Sequence, residues 1–234
     1  MHKLSLIIRG AALGALAILS GTTASALPFV LEPTPNLPPL DAFYGSLSHV
    51  PIGFAGGQIL VTDVKHFNFS NSFAPPPLFG STTHSFGSTV NMRVSLDFGA
   101  TFTRFSASGN VTVRVDSTGD VGNTRSFDTE MLQLDIFGGN LPPGVMIRES
   151  PTLTSMGETT ITDVGGGEFS ITSFFDIFTE LSVDGGQTWM PAQTGPHTVV
   201  AQPIPDSGST FLLLLIPALA LVWCSRALGK SHAI

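Results

Sequence analysis

The chain has 234 residues and a formal net charge of −7. Six of its ten cations and sixteen of its seventeen acids fall between Leu27 and Pro205, so that segment carries −10. Such a surface repels phosphate backbones, which weighs against nucleic acid as a partner. The single cysteine, Cys224, lies outside the segment, which excludes a disulfide, a Cys-ligated metal or a thiol nucleophile within it.

At the front, Lys3 and Arg9 supply positive charge, Gly10 to Leu19 is apolar, and Ala24-Ser25-Ala26 is a small-x-small site. The pattern predicts a signal peptide over 1–26, cut after Ala26 and carried by an export translocase. Ten apolar residues are too few for a stand-alone membrane helix. Residues 27–40 hold Pro28, Pro33, Pro35, Pro38 and Pro39 and read as a polyproline-like leader outside the core. Order is expected from Asp41.

From there the periodicity is two. Val90, Met92, Val94, Leu96 and Phe98 alternate with polar residues, as do Val111, Val113 and Val115, and Phe169, Ile171, Ser173, Phe175 and Ile177 share one face. Weaker runs lie at 58–64, 127–137, 145–149, 159–164, and 179–183 with 187–190. Turn chemistry bounds them: Gly99, Asp116-Ser117-Thr118-Gly119, Gly138-Gly139-Asn140, Pro142-Pro143-Gly144, Gly165-Gly166-Gly167 and Asp184-Gly185-Gly186. Pro75-Pro76-Pro77 marks a long loop. No twelve-residue window keeps a helical stripe. The expectation is all-β: a single antiparallel, jelly-roll-like β-sandwich over 41–190, with most of the eighteen Phe filling the space between two sheets. Residues 191–203 read as a spacer.

Ser182-Val183-Asp184-Gly185-Gly186-Gln187-Thr188-Trp189 resembles the Asp box S-x-D-x-G-x-T-W of sialidase-like propellers. There the box is a structural hairpin repeated blade after blade. One copy is read in this chain, too short for six blades, so a stable hairpin is expected.

Asp128 and Glu130, two apart on a predicted strand, project to one face about 7 Å apart. That spacing suits a glycosidase pair or a cation site. Asp116 and Asp120, in a glycine turn, are further candidates for Ca²⁺. The histidines His49, His66, His84 and His197 form neither H-x-H nor H-E-x-x-H, and no G-x-S-x-G elbow or phosphate loop is present. Sugar stacking favours Trp or Tyr, and this segment has only Trp189 and Tyr44. Asn68-Phe69-Ser70 and Asn110-Val111-Thr112 fit the glycosylation sequon.

The tail has three parts in order. Ile204-Pro205-Asp206-Ser207-Gly208 is turn-forming, 211–228 is an apolar stretch predicted to span a membrane, and Arg226 and Lys230 make a basic end. Fourteen uncharged residues reach about 21 Å as a helix, and running on to Leu228 reaches about 27 Å if Arg226 snorkels. Basic residues after the span stay cytoplasmic, which puts the body on the far side. The arrangement over 204–230 resembles the C-terminal sorting signals of the PEP-CTERM class, specifically the VPDSG-CTERM variant, with Ile204 in place of its Val. The resemblance implies export, transient anchoring, and cleavage near the motif by an exosortase, a membrane-embedded protease. The stretch from Met146 through Trp189 also looks like a segment of uncharacterised exported proteins bearing such signals; that likeness carries no activity.

The reading is therefore a non-enzymatic exported protein of the cell surface or extracellular matrix, with matrix polysaccharide as a candidate partner. One alternative is a polysaccharide-binding module or weak glycoside hydrolase, which needs a concave face bearing Trp189 or Tyr44 beside Asp128 and Glu130. A second is a Ca²⁺-dependent adhesin.

Overall fold

Alternating apolar and polar residues become strands in the computed structural model, which describes residues 27–205. In chain order they are β1 (Val30–Glu32), β2 (Ala42–Ser46), β3 (Ile52–Phe54), β4 (Ile59–Phe67), β5 (Ser81–Ser95), β6 (Thr103–Val121) and β7 (Thr124–Phe137). They continue with β8 (Met146–Glu149), β9 (Ser155–Gly165), β10 (Glu168–Ile177), β11 (Thr179–Ser182), β12 (Met190–Pro191) and β13 (His197–Pro203). Every pairing is antiparallel.

Eight strands close on themselves in the order β2-β4-β5-β6-β7-β9-β10-β13 and back to β2. The remaining strands prolong this barrel. β1 runs beside β10 beyond the end of β13, β8 continues the line of β9 along β7, β11 and β12 extend outward from β8, and β3 lies on β4.

The all-β, antiparallel expectation holds. Two facing sheets do not describe the connectivity, because one hydrogen-bonded sheet closes into a barrel. The reason lies in β5, β6 and β7, which are 15, 19 and 14 residues long. Twist accumulates along ladders of that length and curls the sheet until its edges meet. Asp116-Ser117-Thr118-Gly119, expected as a turn, is a bulge inside β6, with its register shift between Ser117 and Gly119. The chain reverses instead at Gly122-Asn123.

Inward residues make the core. Val61, Val90, Val115, Phe127, Leu134, Ile161 and Ile171 are almost wholly buried. Valine and isoleucine dominate, not phenylalanine: Phe54, Phe127 and Phe175 join the core, while Phe29, Phe79, Phe98 and Phe137 are exposed. An eight-stranded lumen is narrow, and β-branched side chains fill it. Outward positions carry Lys65, Asn91, Arg93, Asp128 and Gln133, the reverse of the apolar exterior of a membrane-spanning barrel. Among the described residues no helix is long and apolar enough to cross a membrane.

Two segments expected outside the domain belong to it. The spacer 191–203 contains β13, a barrel stave whose Val199, Val200 and Ala201 are 2%, 0% and 0% exposed. Its prolines flank the run from His197 to Gln202 and do not interrupt it. The leader 27–40 contains β1, and its Val30 and Leu37 are buried; Leu37 exchanges backbone hydrogen bonds with Phe73 at 2.8 Å. Prolines at 28 and 33 leave Val30–Glu32 free to pair with β10.

Val200→Asp places an uncompensated charge at a fully buried site. It is expected to cost about 3–5 kcal/mol in urea unfolding. A spacer residue would tolerate the change within about 0.5 kcal/mol.

Candidate functional site

Of the acids singled out in the sequence, Asp116, Asp120 and Glu130 are partnered by arginine. Asp116 on β6 sits directly opposite Asp128 on β7, and Arg114 sits opposite Glu130. The Arg114 guanidinium donates to Asp116 Oδ2 at 2.9 Å and reaches Glu130 Oε2 at 2.6 Å. It therefore occupies the position between those two carboxylates that a divalent cation would need. A hydrogen bond from Ser81 and the Arg114 charge hold Asp116 below the usual carboxylate range. Asp120 turns away to Arg125 at 3.4 Å, so it and Asp116 do not converge. Among the described residues no group of three metal-ligating side chains comes together.

Asp128 and Glu130 face outward on β7, whereas Tyr44 is buried inside, packed on Phe69 and Phe175. Trp189 lies under the Arg148 guanidinium, 4.1 Å from its ring centroid. The concave aromatic and acidic face required for a hydrolase is not assembled from these four. Ile204 and Pro205 follow β13; Asp206, Ser207, Gly208, Arg226, Lys230, Ala24 and Ala26 lie outside the described residues.

Arg148 also holds Glu180, from Nε at 3.0 Å and from a terminal nitrogen at 2.7 Å. Next to it, Glu149 accepts from Ser155 Oγ at 3.1 Å, and burial together with neighbouring Glu130 and Glu180 pushes its pKa up to about 7. The bond ties β8 to the start of β9, where one strand succeeds the other along β7. Nothing in the local sequence signals it.

The Asp box forms as expected, and it is not alone. Ser182 Oγ–H donates to Asp184 Oδ1 at 2.8 Å and accepts from Gly186 N–H at 2.9 Å. Asp184 in turn accepts from Gln187 N–H, Thr188 N–H and the Thr188 hydroxyl. Ser95-Leu96-Asp97-Phe98-Gly99-Ala100-Thr101-Phe102 repeats the arrangement. Ser95 Oγ–H donates to Asp97 at 2.6 Å, Gly99 N–H donates to Ser95 Oγ at 2.8 Å, and Thr101 donates to Asp97 through N–H at 2.9 Å and hydroxyl at 2.7 Å.

Even the backbone matches. The fourth and fifth residues have φ of 57° and 89° in one box and 76° and 87° in the other. The eighth residue of each lies beneath an arginine, Phe102 under Arg93 and Trp189 under Arg148. Leu96 and Val183, second in their boxes, line one apolar pocket, so both hairpins brace the same region. Two boxes thus form among the described residues where one was expected; Phe102 in place of Trp at the eighth position sets the second apart from the S-x-D-x-G-x-T-W pattern. Hydrogen bonds from serine and threonine hold Asp97 and Asp184 down at about 2.

The lumen is nearly full. Its cavity is about 50 Å³, lined by Tyr44, His66, Phe69, His84, Thr129 and Phe175 among others. That is room for a few waters, against roughly 300–1,000 Å³ for a small-molecule pocket. His66, His84 and His197 are buried here; His197 Nε2 lies 2.7 Å from Ser46 Oγ, and the His84 ring stacks on Phe73 at 4.6 Å. Burial, with His197 nearby, takes the His66 pKa down to about 4, and burial lowers His84 and His197 too.

A roomier opening is on the outside. A cleft of about 430 Å³ runs over β4, β5 and the start of β6, lined by Asp63, Lys65, Asn91, Arg93, Arg104, Ser106 and Asn140 with Phe105 and Met92 in its floor. Asp63 sits at a bulge in β4 with φ of +52°. The sequence offered no motif here, because the cations come from three strands. Comparison with protein-family models, curated proteins and solved structures returns no match.

Two outcomes follow. Asp97→Ala and Asp184→Ala are each expected to speed hydrogen exchange in their own hairpin, 98–102 or 185–189, and to leave the other hairpin unchanged. Secondly, a histidine that titrates lower folded than unfolded stabilises fully above its unfolded pKa of about 6.5 and loses that contribution as pH falls toward the folded value. For His66 the window is 6.5 down to about 4. Glu149, raised to about 7, acts in the opposite direction. The melting temperature is therefore expected to fall less steeply across this window in His66→Gln than in the parent chain.

Proposed function

We propose that this is an exported, non-enzymatic protein of the cell surface or extracellular matrix. An export translocase carries it by residues 1–26. The segment 204–230 then anchors it until an exosortase-like membrane protease cuts near Ile204–Gly208 and releases the barrel. Matrix polysaccharide is the partner we assign.

The reading comes from both ends of the sequence: the small-x-small site at Ala24–Ala26, and the motif, apolar span and basic Arg226 and Lys230 in that order. One structural observation supports it. Among the described residues the first strand begins at Val30 and the last ends at Pro203, so both cuts leave every described strand whole. The two ends also lie together on β10, where Val30 pairs with Ile171 and Val200 with Phe174. A body free of cysteine needs no oxidative step after export, since no disulfide holds its core.

The test is the intact mass of the protein recovered from membrane and from medium. Loss of residues 1–26 in both fractions, and of the tail in the medium, is the expected result. Full-length polypeptide found only in the cytosol would overturn the proposal.

A further inference from the structure

We infer that the outer cleft over β4–β6 binds an acidic glycan, a polysaccharide carrying carboxylate or sulfate groups. The inference rests on the proposed matrix location and names the ligand class of that role.

The distribution of positive charge carries the argument. The described body has six cationic side chains among sixteen acids. Arg114, Arg125 and Arg148 each lie within 3.4 Å of a carboxylate. The other three, Lys65, Arg93 and Arg104, line this one cleft. Among the described residues neither Lys65 nor Arg104 has a carboxylate within ion-pair distance; Lys65 Nζ rests instead 3.6 Å from the Phe43 ring centroid. Arg93 does have a carboxylate beside it: its Nε lies 3.1 Å from Asp63 Oδ2, without the alignment of a hydrogen bond. Arg93 and Arg104 stand directly opposite each other across β5 and β6. Like charges in that position repel. An anion laid between them removes the repulsion.

The surroundings select the kind of anion. Lys65 and Arg104 sit on strands separated by β5, about 10 Å at the usual strand spacing. That spread suits charges repeated along a polymer better than one small ion. Asn91, Ser106 and Asn140 supply amide and hydroxyl groups for sugar hydroxyls, and Phe105 and Met92 give an apolar floor. Asn140 is held in place by accepting from Ser106 N–H. A glycan whose charges are spaced along the chain meets less repulsion from the body's −10 than a polyphosphate charged at every nucleotide.

The test uses the full chain purified in detergent and titrated with polygalacturonate, dextran sulfate, neutral dextran and single-stranded DNA. Binding to either charged glycan, absent with neutral dextran and weakened by salt, is expected; the two arms distinguish carboxylate from sulfate. The double variant Lys65→Ala/Arg104→Ala, which breaks no ion pair, is expected to lose about tenfold or more in affinity while keeping its melting temperature. Arg114→Gln removes a positive charge elsewhere and should bind as the parent does. No binding to either charged glycan, equal binding by the double variant, or tighter binding of DNA would each overturn the inference. None of these outcomes bears on the processing masses, so the export reading stands or falls separately.

Discussion

The structure depends on β9 having hydrogen-bonded neighbours on both sides. From Ser155 to Thr162 it pairs with β7, and from Gly157 to Gly165 with β10. Without that double pairing the sheet would have two open edges, long and in part apolar, of the kind that recruit other chains. With it, the row of inward Val and Ile residues becomes a closed core. Gly157 shows how tight the joint is: a Cβ there would run into the Phe174 carbonyl and the Thr129 hydroxyl. The closure needs glycine for close approach of backbones, not for a turn.

The fold class was legible because period-two alternation is local. The runs through Val111 and Phe169 sit inside β6 and β10; the run through Val90 lies in β5 only as far as Val94, and its Leu96 and Phe98 fall in the exposed hairpin beyond. What alternation does not encode is whether the two outermost strands meet, since that depends on twist summed over whole ladders. The short strands were harder for a different reason. β1 and β13 are framed by prolines, and proline density reads as a linker even where the intervening residues are Val30 or Val199-Val200-Ala201. Their burial comes from partners far away in sequence.

The same contrast applies to sites. The Asp box at Ser182 is a contiguous signal and was readable; its twin at Ser95 carries the same S-x-D-x-G-x-T skeleton and was obscured by one aromatic exchange. The acid pair Asp128 and Glu130 was placed on one face correctly, yet Arg114, which neutralises Glu130, comes from the neighbouring strand. The cleft of Lys65, Arg93 and Arg104 is assembled only by register across three strands. A chain with sixteen acids in its body looks uniformly negative until the fold gathers half its cations into one place.

The position of β13 has a mechanical consequence. It lies between β10 and β2, paired to both, and the chain leaves it directly at Ile204. A pull at that point acts along the strand axis. Both ladders are then loaded in shear, with their bonds resisting together, and do not peel open one rung at a time. A barrel held by this end bears tension through its strongest direction, and the last stave to be made is the one that carries the load.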